Sequence, residues 1–524
     1  MSFYISKSRF VSAWEHCNKY AWMEKYMPEK KTPVDEFTQS LFDNGIRVGE
    51  LAKEYLGVEV DLTATKEDGS QDSAKMLKET EWHMKLGTKV IAEASFRYDG
   101  CFCSVDILVR NDDGTYDMYE VKSSKEKELP KKKPRPIEPR YIKDASYQRY
   151  VLENCGVPLK HVYLLLLSRD YIRGKSLELD KYFVKVDVTA ETAAMQAQVV
   201  AKLAELRPVV TDSNEPVSII CSGCKDCEYF GYCGRNIPAP SPFDVQGLEF
   251  PYKCWLYQDS TAFFDIPAKI PTIPKITRRK ASLSEFAKRQ IAYYNRPDDH
   301  YIDKVAIKEF LDKLSYPLYS LDFETYQATV PEYEGMRSGE SIPFQYSLHI
   351  MKRPDGNYTE GSPDLEERHF LDISGNDSRR AIAESLAQNI PYGACVVAWN
   401  ESTERKIIER LAKGFPDLKD HLLSFSYEDP SKLFENGHYY TAAMGNRYSI
   451  KYVAPALYPD DPSANYKNLE GDVKNGAQAM AAISMTSHMT DEEVAKLKHD
   501  LEIYCAQDTM VLVKILKKLY EVVK

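Results

Sequence analysis

Long apolar runs are missing from this 524-residue chain. The longest, Val162 to Leu167, stops at Ser168 and Arg169, far short of the roughly 20 residues a membrane helix needs, so no membrane span is expected. The first residues, MSFYISKSRFVSAWEHC, lack a continuous apolar stretch followed by a small-residue cleavage site. That argues against a secretory signal and makes the cytoplasm the expected compartment. An excess of basic charge is missing as well. A net charge of −10 speaks against a protein that coats nucleic acid non-specifically, because phosphate affinity comes mostly from Lys and Arg. An enzyme needs only a local basic track. Internal repeats and long low-complexity tracts are absent too, and the two halves look unrelated, so the chain is not a duplicated domain.

What is present is an ordinary globular composition, 43% hydrophobic and 28% charged, in a chain long enough for two to four domains. Cysteine is plentiful. Seven of the eleven are scattered, and four crowd into Cys221-x2-Cys224-x2-Cys227-x5-Cys233. In a cytoplasmic setting such crowding points to one shared centre, either zinc or an iron–sulfur cluster, before it points to disulfides.

The stretch CSVDILVRNDDGTYDMYEVK, Cys103 to Lys122, reads as strands Ser104–Arg110 and Tyr116–Ser123 closed by an Asn-Asp-Asp-Gly turn. Period-2 geometry sends Glu120 and Lys122 to one face of the sheet. With Asp106 they could hold a divalent ion and neutralise a scissile phosphate; the alternative is a solvated sheet face. If the carboxylates form a site without an ion they repel, so removing one is expected to leave stability unchanged or raised. The basic segment Ser123–Lys143 follows, with eight basic and three acidic residues, either a phosphate-contacting loop or a Pro-stiffened surface loop. Tyr4–Met27 has helical spacing and includes Cys17, by itself a small buried residue. Phe42–Tyr55 reads as an amphipathic helix, and Asp144–Cys155 as another. Glu93 either faces the Asp106 site or lies on the surface. From Asn236 to Asp303 proline is dense, which argues against regular elements and for a bridging segment.

In the second half, YPLYSLDFET delivers Asp322 and Glu324 to one side of a strand. Val396–Glu404 reads as a strand running into a helix, and Tyr504 and Asp508 lie four apart on a late helix, hence on one face.

These residues carry two resemblances. The D-x13-E-V-K arrangement resembles the PD-(D/E)XK nuclease core in its RecB-like branch. Cys17 with Cys224, Cys227 and Cys233 is similar to the pattern of that branch's iron–sulfur members, such as the CRISPR-associated exonuclease and the AddB nuclease domain. The resemblance implies a [4Fe–4S] cluster on those four residues, with Cys221 left over and a purely local four-cysteine site still open. It also implies a substrate-contacting Gln148 of a Q-x3-Y motif, whose tyrosine position holds Leu152, with Tyr150 nearby as a substitute. Gly49 stands where the family often has a histidine. The second half resembles the DEDD exonucleases of the ribonuclease-H-like fold, with D-x-E at Asp322 and Glu324, Asn400-x3-Glu404 where the family has N-x3-D, Ser449-Ile450-Lys451, and Tyr504-x3-Asp508. The whole chain looks like a bacterial group fusing the two.

The expectation is therefore an α/β chain: a restriction-endonuclease-like domain over residues 1–235, a bridge over 236–310, and a ribonuclease-H-like mixed-sheet domain over 311–524. It implies a nuclease acting on nucleic acid, preferably DNA. The cofactors would be a [4Fe–4S] cluster and Mg2+ or Mn2+, the ions held by Asp106 and Glu120 and by Asp322, Glu324, Glu404 and Asp508. Lys122, Gln148 and Tyr504 complete the expected catalytic set. The alternatives are an RNA exonuclease, or a nucleic-acid-binding scaffold with one or both sites degenerate.

Overall fold

The computed structural model describes residues 3–126, 137–296, 298–354, 356–359, 361–476, 478–480 and 489–524. The chain is mixed α/β and divides into two compact units, Met1–Asn236 with Ala328–Glu340, and Ile237–Gln327 with Ser341–Lys524. Among the described residues no helix is long and apolar enough to cross a membrane.

The first unit is built on a seven-stranded mixed sheet. Strands β1 (Ile5–Ser6), β2 (Val60–Asp61), β3 (Val90–Tyr98), β4 (Cys101–Arg110), β5 (Tyr116–Lys125), β6 (Leu159–Leu167) and β7 (Phe183–Asp187) run in the order β2-β3-β4-β5-β6-β7, and β1 pairs with β4. β4 and β5 form the hairpin expected from the Asn-Asp-Asp-Gly turn, antiparallel in register from Arg110 opposite Tyr116 to Ile107 opposite Tyr119. β5 and β6 are parallel, and a helix joins them. That connection agrees with the rule that parallel strands need a crossover. The helices are α1 (Lys7–Glu15), α2 (Asn18–Tyr26), α3 (Glu36–Leu56), α4 (Ser73–Leu86) and α5 (Pro139–Asn154). The single helix expected over Tyr4–Met27 is in fact two. His16 ends the first, and Cys17 is extended as the N-cap of the second. The segment Ala328–Glu340 is tied to the first unit by backbone hydrogen bonds between Arg173 and both Gly335 and Met336. Its Val330 is buried in the cluster that holds Val48, Tyr182 and Phe183.

The second unit has a five-stranded mixed sheet of β9 (Leu318–Ala328), β10 (Glu340–Met351), β11 (Leu365–Leu371), β12 (Cys395–Val397) and β13 (Ser426–Glu428), ordered β11-β10-β9-β12-β13. Two short strands, β8 (His300–Ile302) and β14 (Tyr439–Thr441), pair apart from it. β12 is parallel to both β9 and β13, while β10 and β11 are antiparallel. Alternation along β9 sorts its side chains. Tyr319, Leu321 and Phe323 enter the core made with helices Arg379–Asn389 and Ser402–Gly414. Leu318 enters the other core, with the long helix Asp491–Val523, and Ser320 bonds to Thr509 of that helix. Asp322 and Glu324 share the parity of Ser320 and so take the long helix's side of the sheet.

The proline-rich stretch is more regular than its composition suggests. It holds helices Phe250–Gln258 and Glu285–Tyr293 and a small core of Val245, Leu248, Tyr252, Leu256, Phe263 and Ile291. Pro242, Pro251, Pro267 and Pro271 sit in the first turn of short helices, where a missing N–H costs nothing and a fixed φ is already helical. These residues belong to the second unit.

Candidate functional site

The first cluster forms where the β3–β4 and β4–β5 ladders both lapse. Asp106 accepts a hydrogen bond from the Val121 N–H at 2.8 Å in place of a strand partner. On its other flank, Glu93 adopts φ +56°, a left-handed conformation uncommon for a residue with a Cβ. Glu120 is 1% exposed and heavily bonded: Lys7 Nζ at 3.1 Å and Lys122 Nζ at 2.6 Å on one oxygen, Gln148 Nε2 at 2.5 Å on the other. α5 supplies both Gln148 and Asp144, one turn apart on one face. Asp144 accepts from Lys122 at 2.7 Å and from Gln148 at 3.0 Å.

The electrostatics split the carboxylates. Burial alone would raise Glu120, but Lys122 and Lys7 outweigh it and hold the carboxyl well below its usual range. Asp106 is pushed up to about 6, by burial first and then by charged Glu120. Glu93 reaches about 7 through burial and the neighbouring Asp106. Repulsion therefore acts on Asp106 and Glu93, as expected of clustered carboxylates, while the two ammonium groups override it at Glu120. Glu120→Ala should destabilise the first unit by about 3 kcal/mol, because it strips two ammonium groups of their buried partner. Asp106→Asn, which removes a carboxyl that burial and charged Glu120 penalise, should leave stability unchanged or slightly raised. Denaturant unfolding of the full-length chain distinguishes the two.

Sequence reasoning missed Lys7 and Asp144. A lysine opening a helix carries no periodic signal, whereas Asp144 could have been found from its i, i+4 spacing to Gln148. Leu152 is fully buried in the core and Tyr150 packs edge-on against Tyr98. Tyr141 lies beside the cluster instead, with the Lys122 ammonium 5.4 Å from its ring centre. A Cβ on Gly49 would meet nothing within 4 Å, so the backbone there does not itself require glycine. About half of the basic segment, residues 127–136, lies outside the described residues.

The cysteines form a second cluster in the first unit. Cys17, Cys224, Cys227 and Cys233 line one pocket together with Met23, Phe230 and Tyr229, while Cys221 is not among its lining residues. The break between α1 and α2 puts Cys17 on this pocket. Gly223 lets the loop close on it: an added Cβ would lie 2.2 Å from the His16 carbonyl oxygen. His16 Nδ1 is 2.6 Å from the Gly223 oxygen. Lys19 bonds Glu215 at 2.6 Å, and Trp22 donates to the Asp212 carbonyl at 3.0 Å. Burial raises the Cys17 thiol and pushes Cys227 to about 11 and Cys224 to about 12. Four thiols on one pocket are a donor set of the kind that takes zinc or an iron–sulfur cluster.

The third cluster lies in the second unit. Oxygens of Asp322, Glu324 and Asp508 come within 4.8 Å of one another. Glu404, in the first turn of helix Ser402–Gly414, stays outside that triad but feels Asp508. The helix starts after Asn400, at φ +64°, whose N–H donates to Asp429 at 3.1 Å. Burial, reinforced by Asp508, pushes Glu324 to about 8. Glu404 also reaches about 8, through burial and the neighbouring Asp429, Glu401 and Asp508. Asp322 is raised well above its ordinary value by burial and by Asp508, Glu324 and Glu404. The buried Oε2 of Glu404 has no hydrogen-bond partner, an expensive state for a carboxylate. An unpartnered oxygen, a tight triad and carboxyls driven toward protonation together fit a divalent-ion site.

Tyr504 Oη lies 3.0 Å from Lys451 Nζ. Tyr466, which sequence reasoning missed because it sits in an irregular turn, donates to Asp508. A pocket of about 160 Å³ beside Asp322 and Asp508 is lined by Trp399, Ile450, Lys451 and Leu512.

Residues 319–449 match the model of a domain of unknown function, DUF2779. The matched span contains Asp322, Glu324 and Glu404 and stops before Lys451, Tyr504 and Asp508. No curated protein matches the chain. Among solved structures, the chain is similar to the crystal structure of SSO0001, at 13% identity over 45% of this chain and 89% of the other, with a TM-score of 0.20. At that score the likeness carries no statement about fold or chemistry.

Proposed function

We propose that the chain is a metal-dependent nuclease whose principal catalytic centre is the acidic cluster of the second unit. The observation that carries this reading is the convergence of Asp322, Glu324 and Asp508 within 4.8 Å, next to a buried, unpartnered Glu404 oxygen. We read the second unit as ribonuclease-H-like and of the DEDD type, and the first as PD-(D/E)XK-like with a structural [4Fe–4S] cluster on Cys17, Cys224, Cys227 and Cys233. Mg2+ or Mn2+ held by the four second-unit acids would polarise water and stabilise the leaving oxygen of a phosphodiester.

The chain's own groups have separable roles in this reading. Tyr466 holds Asp508 by a hydrogen bond and so fixes one ligand's orientation. Lys451 and Tyr504 form a polar pair that can orient water or a phosphate oxygen. Trp399 and Ile450 offer apolar surface beside the acids, suited to stacking a terminal base. DNA is the preferred substrate, with RNA the alternative. End-labelled single- and double-stranded DNA and RNA, incubated with the full-length protein in Mn2+ or EDTA, test the reading. Cutting only with Mn2+ is expected; Mn2+-independent cutting, or none of any substrate, would overturn it. Tyr504→Phe should slow cutting about tenfold, far less than loss of an acid, because it removes one hydroxyl and no ion ligand. Glu404→Asp should retain or raise activity, and Glu404→Gln should lose most of it.

A second reading, in which the first unit binds nucleic acid without cutting it, is favoured by one observation. Lys7 and Lys122 already neutralise the acids around Glu120. Comparing Asp106→Ala, Glu120→Ala and Lys122→Ala in a chain with the second site disabled separates cutting from binding there.

A further inference from the structure

Between the second sheet and the long helix Asp491–Val523 runs a buried polar strip that has no role in the chemistry proposed above. β10 turns Gln345, Ser347 and His349, alternate residues on one face, toward that helix, and all three are buried. Gln345 Nε2 donates to the Leu501 carbonyl at 2.8 Å, while Ser347 Oγ and His349 Nδ1 each lie 2.8 Å from Thr509 Oγ1. From β9, Ser320 donates to the Thr509 carbonyl at 3.0 Å. Thr509 Oγ1 is also 3.1 Å from the Ala506 carbonyl oxygen. That oxygen can only accept, so the threonine donates to it and takes the Ser347 and His349 protons on its own lone pairs. Burial lowers His349 to about 4, which leaves a neutral ring able to donate from Nδ1. Such a strip is a poor stabiliser. Gln345 Oε1 has no hydrogen-bond partner, a cost that an apolar side chain in its place would avoid.

What the strip supplies is direction. Thr509 follows Asp508 in the helix, and Ser320 stands two residues before Asp322 on the same face of β9. Apolar packing is non-directional and lets a helix slide or turn on a sheet. A slip of one residue moves a helical side chain by about 1.5 Å along the axis and about 100° around it, and the oxygens of Asp322, Glu324 and Asp508 must converge within 4.8 Å. We propose that Thr509, held by Ser320, Ser347 and His349, is a positioning residue that fixes Asp508 and Tyr504 against Asp322 and Glu324 and so fits the site to a small, geometrically exacting ion. The proposal rests on the reading of these acids as a nuclease metal centre and deepens it by assigning the centre's ion selectivity. Mg2+ demands near-octahedral oxygens at about 2.0–2.1 Å, whereas Ca2+ accepts irregular sets at about 2.3–2.6 Å. Loosening Asp508 therefore penalises Mg2+ first.

Calorimetric titration of the full-length chain with Mg2+ and with Ca2+ tests it, counting for each protein only the binding that an added Asp322→Asn abolishes. Thr509→Val keeps the side chain's shape and loses its hydroxyl. It should bind Mg2+ at least about tenfold more weakly, the scale of losing a group that orients an ion's ligand, with Ca2+ affinity within about threefold of the parent. Its kcat on end-labelled single-stranded DNA should fall about tenfold while KM stays within about twofold. Thr509→Ser should restore all of these. Leu516→Ala truncates a fully buried residue farther along the same helix. It should lower the unfolding temperature at least as much as Thr509→Val, yet hold Mg2+ affinity and kcat within about twofold. If Thr509→Val does not fold, Ser347→Ala, which removes one bond of the strip, carries the test with a threefold or greater loss of Mg2+ affinity. Parental Mg2+ affinity in the folded variant, equal losses of Mg2+ and Ca2+, or an equal loss in Leu516→Ala would overturn the proposal. Mg2+ binding that tracks Thr509 in a chain that cuts nothing would sustain it while sinking the nuclease reading. Cutting indifferent to Thr509 would overturn it and leave that reading standing, and a parent with no Asp322-dependent ion binding would overturn both.

Discussion

Asp322→Asn should reduce cutting at the second-unit site about a thousandfold while making the ion-free protein more stable, and both effects come from one cause. Asp322, Glu324, Glu404 and Asp508 are gathered in a buried space with their carboxyls pushed upward. Removing a member relieves repulsion but removes an ion ligand worth several kcal/mol to the reaction. The pH dependence follows with a definite sign. Folded Glu324 and Glu404 keep their protons to about 8, whereas their ordinary value is 4.5. Between those values the folded state binds more protons than the unfolded one. The stability these groups contribute is complete below pH 4.5 and falls as pH rises toward 8, by up to about 1.4 kcal/mol per pH unit for each independent group. Thermal unfolding in EDTA should therefore show the second unit's transition dropping from pH 5 to pH 8. Mn2+ should flatten the slope by binding the charged form. Asp322→Asn should flatten it in EDTA and abolish the Mn2+ effect. A transition that rises with pH in EDTA would contradict the whole electrostatic account.

Cys17→Ser should have the largest effect on the first unit. Cys17 and Cys224 line one pocket although roughly 200 residues separate them. Closing a loop of that size through a shared centre constrains the unfolded chain by about 5 kcal/mol on the reasoning used for covalent cross-links. Protein purified without oxygen should be brown, with iron and sulfide in equal amounts. Cys17→Ser should be colourless and lose the first unit's cooperative transition while keeping the second's. Cys221→Ser should keep both colour and stability, since Cys221 stands outside the pocket lining. Stoichiometric zinc and no colour in the parent would refute the cluster.

Much of the candidate chemistry was legible because it obeys short periods. Glu120 and Lys122, like Asp322 and Glu324, share a strand face by alternation, and Tyr504 and Asp508 share a helix face. The break at Cys17 was not legible, because the helical spacing of apolar residues continues across it, and the close approach of Gly223 to the His16 carbonyl joins segments roughly two hundred residues apart. Lys7 was hidden for a related reason. It reaches its acids through β1, a two-residue strand whose pairing with β4 spans nearly a hundred residues, and no local pattern announces so short an element. The proline-rich stretch misled in the opposite direction. Its prolines fall at helix starts, where they cost little, and composition does not reveal position.

The segment Ala328–Glu340 affects the order in which the protein can be completed during synthesis. The first unit's own 236 residues leave the ribosome roughly a hundred residues ahead of this piece, an interval of about 5–20 s at ordinary elongation rates. Until then the cavity that receives Val330 has no occupant, and the main-chain groups of Arg173 have no partners from Gly335 and Met336. The nascent first unit is thus a species with an open apolar slot between Val48 and Tyr182. Such a species exposes apolar surface that the completed chain buries, which is the condition under which nascent domains are prone to aggregate.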